Sequence, residues 1–103
     1  MRERRGQQPT TGVPRLALVG CGQWGLNYLR AFGELEGCVI THACDVSPER
    51  LREAQRRLPG VATTERVEEV LANPEIDSVV VAVQATRHYE VARAALEAGK
   101  HVL

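Results

Sequence analysis

Ten residues constrain this chain more than any others. Leu16-Ala17-Leu18-Val19 is an unbroken apolar run, and Gly20-Cys21-Gly22-Gln23-Trp24-Gly25 follows it as G-x-G-x-x-G. A short run with no polar alternation reads as a strand covered on both faces, as in a parallel sheet. Glycines at this spacing have three separate jobs. The first permits a tight turn out of the strand, the second lets a phosphate approach the backbone with no Cβ in the way, and the third lets the next helix pack closely on the strand. The helix then starts beneath the phosphates, where unpaired N–H groups and the positive end of the helix dipole favour an anion. Glycine-rich turns are common, so the motif has to be weighed with its surroundings.

Those surroundings alternate between strand and helix. Residues 1–14 are polar, hold two prolines and two glycines and show no periodicity; they read as a flexible tail, and the ordered domain is expected over 15–103. Residues 16–19 form the first strand. A helix is expected over 23–35, with Leu29, Phe32 and Leu35 on one stripe and Gly33 a weak point, stopped at Glu36-Gly37. Residues 38–44 form the second strand. Ser47-Pro48-Glu49 is a helix start: Ser47 caps, Pro48 takes the first helical position and Glu49 favours the dipole. That helix runs to about Leu58. Residues 61–63 are a short third strand, and Thr64 is expected to cap a helix over 65–72 that Asn73-Pro74 closes. Residues 78–83, with Val79-Val80-Val81, make the clearest strand. A loop over 84–87 and an alanine-rich helix over 88–98 follow, ending at Gly99, and His101-Val102-Leu103 begins a fifth strand. Alternation with short loops implies a doubly wound α/β sheet of parallel strands in the order 3-2-1-4-5, cut short in its fifth strand.

Composition narrows the function classes. The chain has 103 residues, 44% apolar and 25% charged, with zero formal net charge. That suits one small domain and carries no basic excess of the kind a nucleic-acid binder shows. No apolar run approaches the ~20 residues that span a bilayer, and the start has no apolar stretch of a secretion signal, so a cytoplasmic protein without membrane or nucleic-acid partners is expected. Cys21, Cys38 and Cys44 are odd in number and lack framework or zinc-site spacing. They read as reduced, buried fillers, with a Cys21–Cys44 disulfide as the alternative.

Asp45 stands 20 positions beyond Gly25, at the end of the second strand. In a dinucleotide fold an acid there accepts hydrogen bonds from the adenosine ribose, and it repels a 2′-phosphate. Val46, Ser47 and Pro48 follow with no basic residue beside it, which favours NAD over NADP. The bland alternative is a turn or capping aspartate. Val83 and Gln84 leave the fourth strand where the strand order reverses, the place where ligands lie in such sheets. Gln84 and the loop backbone are candidates to touch the cofactor; His88 is either part of that border or an ordinary first-turn residue. Gln23 and Trp24 open the helix under the phosphates. Trp24 either covers the pyrophosphate or packs between elements, the default for tryptophan. Arg30 and Arg50 read as solvated helix residues, His42 as a satisfied structural histidine, and Lys100 as a complement to a helix C-terminus.

These residues resemble a known family. The motif Val19 to Gly25, the Cys44-Asp45 pair, Asn73-Pro74-Glu75-Ile76-Asp77 leading into the valine strand, and His88-Tyr89-Glu90 with the block from Ala94 to Leu103 are similar to the N-terminal domain of the Gfo/Idh/MocA oxidoreductases. Trp24-Gly25 with Asn27, Arg30, Phe32 and Glu34-Leu35 resembles the branch that acts on nucleotide sugars. The resemblance implies hydride transfer between NAD or NADP and a sugar or sugar-nucleotide alcohol. Gly20, Gly22 and Gly25 would hold the pyrophosphate, Asp45 the adenosine ribose, and the loop ending at His88 would border the nicotinamide. Two departures stand out. Val83-Gln84 replaces the Thr-Pro usual in the family, which puts the shape of that loop in question. The family's catalytic lysine lies in a Glu-Lys-Pro motif just past the fifth strand, beyond Leu103; Lys100 is not that lysine. The 103 residues are thus expected to bind cofactor and to lack the catalytic lysine and the substrate domain. A stand-alone nucleotide-binding or sensor module is the alternative, acting through a partner or as a homo-oligomer joined at the open sheet edge. A methyltransferase is a weaker third reading.

Overall fold

A computed structural model of the chain describes residues 13–35 and 37–103. The tail expected over 1–14 therefore falls, up to residue 12, outside the described residues, as does Glu36 of the expected helix stop.

Five strands and four helices alternate as expected: β1 (Arg15–Val19), α1 (Gln23–Gly33), β2 (Val39–Cys44), α2 (Pro48–Arg57), β3 (Ala62–Thr64), α3 (Val67–Ala72), β4 (Ser78–Val81), α4 (Ala85–Glu97) and β5 (His101–Val102). All ladders are parallel and the sheet order is β3-β2-β1-β4-β5. The apolar runs are explained by the pleat, which sends alternate side chains to opposite faces. Leu16, Leu18, Ile40 and Val80 pack with Leu29 of α1 and Leu51 and Ala54 of α2. Ala17, Val19, Val79 and Val81 pack with Val70 of α3 and Val91 and Ala95 of α4. With both faces covered, the central strands have no solvent side on which a polar residue would fit.

Boundaries shift where local polarity misleads. Helix α4 starts at Ala85, three residues before the expected His88, because Gln84 in extended conformation serves as its N-cap residue and the Arg87 N–H donates to the Gln84 carbonyl at 2.9 Å. Ala85, Thr86 and Arg87 hold no breaker, so their polarity gives an exposed helical turn rather than a loop. Helix α3 starts at Val67, two residues late: Thr64 belongs to β3, and its hydroxyl accepts from the Arg66 N–H at 3.1 Å while donating to Glu69 Oε1 at 2.6 Å. Strand β4 stops at Val81 rather than Val83, since β1 ends opposite it at Val19. Helix α1 ends at Gly33, with Glu34 as its C-cap, rather than at Leu35. The Ser47-Pro48 start of α2 stands as read, with Ser47 Oγ accepting from the Arg50 N–H at 3.3 Å.

Two polar side chains read as structural have definite partners. His42 Nδ1 lies 2.8 Å from Thr41 Oγ1, and its Nε2 lies 3.4 Å from Asn73 Nδ2. Lys100 is buried, and its Nζ donates to the carbonyls of Asn73 at 2.6 Å and Ile76 at 2.8 Å. It does complement a helix C-terminus, but that of α3, whose C-cap is Asn73, rather than that of the helix preceding it in sequence.

Candidate functional site

The carboxyl ends of β1, β2 and β4 open into a cavity of about 580 Å³, within the range of small-molecule and cofactor sites. Its floor is the turn from β1 to α1, and the three glycines of that turn are not equivalent. Gly20 has φ +102°, and a Cβ there would stand 2.7 Å from the Ala82 carbonyl carbon and oxygen. Gly25 is in ordinary helical conformation, but its Cβ would stand 1.9 Å from the Gly20 carbonyl oxygen. These two are required by the protein itself, one by backbone conformation and close approach to β4, the other by helix-on-turn packing. Gly22 differs: its Cβ would meet only the Arg50 guanidinium, at 3.8 Å and beyond. Nothing in the fold forbids a side chain at Gly22, and the space above it belongs to the cavity.

Gly22 is also the N-cap of α1. No side chain caps that end and no acid sits in its first turn. The first intrahelical donor is Leu26, bonded to the Gly22 carbonyl at 2.9 Å. The N–H groups of the turn before it therefore find no intrahelical partner, and Gln23 and Trp24 line the cavity at this point. An uncapped helix start under an open cradle fits a phosphate-bearing ligand.

Asp45 lies in the same cavity but is turned inward. Only 8% exposed, it accepts from the Cys21 N–H through Oδ2 and from the Ser47 N–H through Oδ1, each at 2.8 Å. Its carboxylate ties the glycine turn to the start of α2, while its edge faces the cavity. The sequence left no cation beside it. Arg50 supplies one: three residues after the Ser47 cap, the first turn of α2 brings its Nη1 to 3.9 Å from Asp45 Oδ2. Arg50, read as a solvated helix residue, is a cavity residue.

Gly20, Gly22, Gln23, Trp24, Asp45, Val83 and Gln84 all line this cavity. Gly25 sits behind the turn, as its packing role requires. Trp24 is 72% exposed and stands at the rim instead of packing between elements. His88 does not line the cavity; it is exposed on α4, while Arg87 and Val91 of that helix face inward. The early start of α4 causes this, since residues 87 and 91 share a helix face and residue 88 is turned about 100° away. Sequence reasoning also missed Arg66 on the β3–α3 turn. The charged lining is balanced: Arg50, Arg66 and Arg87 against Asp45, Glu65 and Glu68.

The cysteines near the turn are unreactive. All three are free thiols. Burial, with the Asp45 charge second, pushes Cys21 up to about 12 and Cys44 up to about 11, so both stay protonated and nucleophilic chemistry is disfavoured. Among the described residues no group of His, Cys, Asp and Glu is placed to hold a metal ion, and no helix is long and apolar enough to cross a membrane.

Comparison with known proteins agrees with this geometry. A glycosyl hydrolase family 109 protein of Streptomyces coelicolor is 30% identical over 118 residues, covering 99% of this chain and 25% of that protein. D-apiose dehydrogenase of Paraburkholderia graminis is 33% identical over 92 residues, covering 87% and 24%. The crystal structure of an NAD-binding protein from Listeria innocua superposes with TM-score 0.79 and 33% identity, over 87% of this chain and 26% of that one. The chain spans about a quarter of the length of the curated relatives it matches. Residues 14–103 match the profile of the Gfo/Idh/MocA oxidoreductase family, NAD-binding Rossmann fold. With the parallel 3-2-1-4-5 sheet and the glycine cradle in place, the chain belongs to that family, as its NAD-binding Rossmann domain.

Proposed function

We propose that this chain is the cofactor-holding part of an oxidoreductase that moves hydride between a nicotinamide dinucleotide and a sugar or sugar-nucleotide alcohol. The observation that carries the reading is Gly22, which the fold leaves free of steric demand beneath an uncapped helix start. A dinucleotide gives that glycine a purpose. Backbone N–H groups of Gly22, Gln23 and Trp24 would hold the pyrophosphate. The cavity edge of Asp45 would take the adenosine ribose, and Val83 and Gln84 would border the rest. His88 is not in this set. When bound, the nicotinamide ring supplies the hydride acceptor or donor.

This chain's own residues bind and orient. None of the candidate site side chains is placed as an acid or base for the alcohol, so the 103 residues alone bind cofactor and turn nothing over. D-apiose dehydrogenase among the relatives supports a sugar alcohol as substrate for the whole protein. The glycosyl hydrolase relative favours a second reading, in which the same cofactor site serves cleavage of a glycosidic bond. Assays of the native gene product distinguish them: reduction of NAD by a free sugar supports the first, and release of nitrophenol from a nitrophenyl glycoside supports the second.

Calorimetric titration of the chain with NAD tests the shared part. Saturable one-to-one binding is expected, with a rise in melting temperature as NAD increases. A folded chain that shows no heat and no thermal shift at millimolar NAD would overturn it.

A further inference from the structure

We infer that Arg50 lets this acid-bearing site accept the 2′-phosphate of NADP as well as NAD, so that Arg50, and not Asp45 alone, sets cofactor preference. The inference rests on the dinucleotide reading of the cavity. An acid at the end of the second strand ordinarily repels that phosphate, and a nearby arginine ordinarily accommodates it. Here both stand together, and their exposure differs sharply. The Asp45 side chain is 5% exposed and the Arg50 side chain 61%. Both carboxylate oxygens already accept backbone N–H bonds at 2.8 Å, from Cys21 and Ser47, so the negative charge is partly neutralised by donors on its inner side. The Arg50 guanidinium lies 3.9 Å from Oδ2, on the cavity side, and 3.8 Å from where a Cβ on Gly22 would be. It therefore stands between the phosphate-binding glycine and the ribose-binding acid, the space an added 2′-phosphate enters. Arg66 across the cavity lies 3.8 Å from Glu68, whereas the only acid the structure sets beside Arg50 is the inward-turned Asp45.

A planar, permanently charged guanidinium on an exposed side chain can turn from the carboxylate to a phosphate and bind it through two N–H groups. With NAD, Arg50 stays on Asp45 and the ribose hydroxyls meet the carboxylate edge. With NADP, it turns to the phosphate and screens it from Asp45.

The test is calorimetric titration of the whole chain with NAD, NADP, 5′-AMP and adenosine 2′,5′-bisphosphate, for wild type, Arg50→Ala and Arg50→Lys, with urea midpoints as the fold control. Wild type is expected to bind NADP within about tenfold of NAD. Arg50→Ala is expected to weaken NADP and the bisphosphate by about tenfold or more, the size of a lost charged hydrogen bond, about 1.4 kcal/mol per decade, while NAD and 5′-AMP change by less than about threefold. Arg50→Lys keeps part of the difference, since a point charge replaces the two-pronged one. NADP binding should also weaken more steeply with salt than NAD binding. Equal weakening of both cofactors by Arg50→Ala overturns the inference and makes Arg50 a support for Asp45. So does a wild type that binds NAD but not NADP. A wild type that binds neither overturns the dinucleotide reading itself.

Discussion

Replacing each motif glycine by alanine separates what the fold needs from what the ligand needs. At Gly25 the new methyl group would stand 1.9 Å from the Gly20 carbonyl oxygen. Relieving that contact means moving α1 off the turn by about 1 Å, and overpacking of this kind costs about 1–3 kcal/mol or more. At Gly20 the methyl meets the Ala82 carbonyl at 2.7 Å and the backbone sits at φ +102°. A left-handed residue adds about 1–2 kcal/mol to a similar overpacking cost, giving a total of about 2–5 kcal/mol. A domain of this size has about 5–15 kcal/mol in all, so both variants lose much of their stability. At Gly22 the methyl touches only Arg50 at 3.8 Å, and φ is −74°. There a poorer N-cap costs about 1 kcal/mol, offset by about 0.4–1 kcal/mol from a stiffer unfolded chain, for a net change near zero.

Binding should show the opposite order. Gly22→Ala puts a methyl group where the phosphate approaches, and a tenfold or greater loss of NAD affinity is expected, about 1.4 kcal/mol per decade. Urea denaturation gives the stabilities. Quenching of Trp24, the chain's single tryptophan and exposed at the cavity rim, gives the affinities. The reasoning fails if Gly22→Ala unfolds as easily as Gly25→Ala, or if it binds NAD like wild type.

Three further outcomes are expected. Asp45→Asn should lower stability by about 2–3 kcal/mol even without cofactor, because one of two charge-assisted backbone bonds is lost and a buried N–H is left facing an amide; a urea midpoint unchanged from wild type would mean the acid serves only ligand. Lys100→Met should cost about 2 kcal/mol or more, since the Asn73 and Ile76 carbonyls lose their shared donor; the variant's unfolding curve measures it, and a neutral result would refute the α3 cap. Alkaline pH should destabilise the chain through Cys21. Its folded pKa is raised from 9.0 to about 12, so the stability it contributes is present in full below pH 9 and is lost as pH rises from about 9 towards 12, where the unfolded thiol ionises and the folded one does not. Between pH 8.5 and 10.5 that amounts to about 2 kcal/mol, and Cys21→Ala should show a correspondingly shallower fall in stability; identical slopes would contradict it.

What the sequence made legible was whatever depends on near neighbours or on strict period. The valine and leucine runs announce strands buried on both faces, and Ser47-Pro48 announces a helix start, because each signal lies within one element. The glycine spacing identified the turn, and Asp45 at its distance identified the opposite wall of the site. Side-chain direction was not legible. Arg50 looked like any charged helix residue; only the angle at which α2 leaves the Ser47 cap turns it back to Asp45. Arg87 and His88 exchanged places because the helix began three residues early, and a shift of that size changes which residues face the cavity. Lys100 serves carbonyls 24 and 27 positions back in the chain, a pairing that no local pattern encodes.

The inward set of Asp45 bears on how the site binds. The Gly20 N–H donates to the Cys44 carbonyl at 2.8 Å, the Ala82 N–H to the Val19 carbonyl at 2.8 Å, and the Cys21 N–H to Asp45 at 2.8 Å. The glycine turn is thus held from β2 on one side and joined to β4 on the other before any ligand arrives. A loop already fixed has little conformational entropy left to lose on binding, so more of the interaction free energy appears as affinity. An acid that only met the ribose would leave the turn to be ordered by the cofactor. Because Asp45 spends two of its acceptor positions on the backbone, it prearranges the phosphate site and leaves its remaining edge, together with Arg50, to read the sugar. The steric demands at Gly20 and Gly25 keep α1 and the turn in register, and Gly22, which has no such demand, is left open beneath that frame.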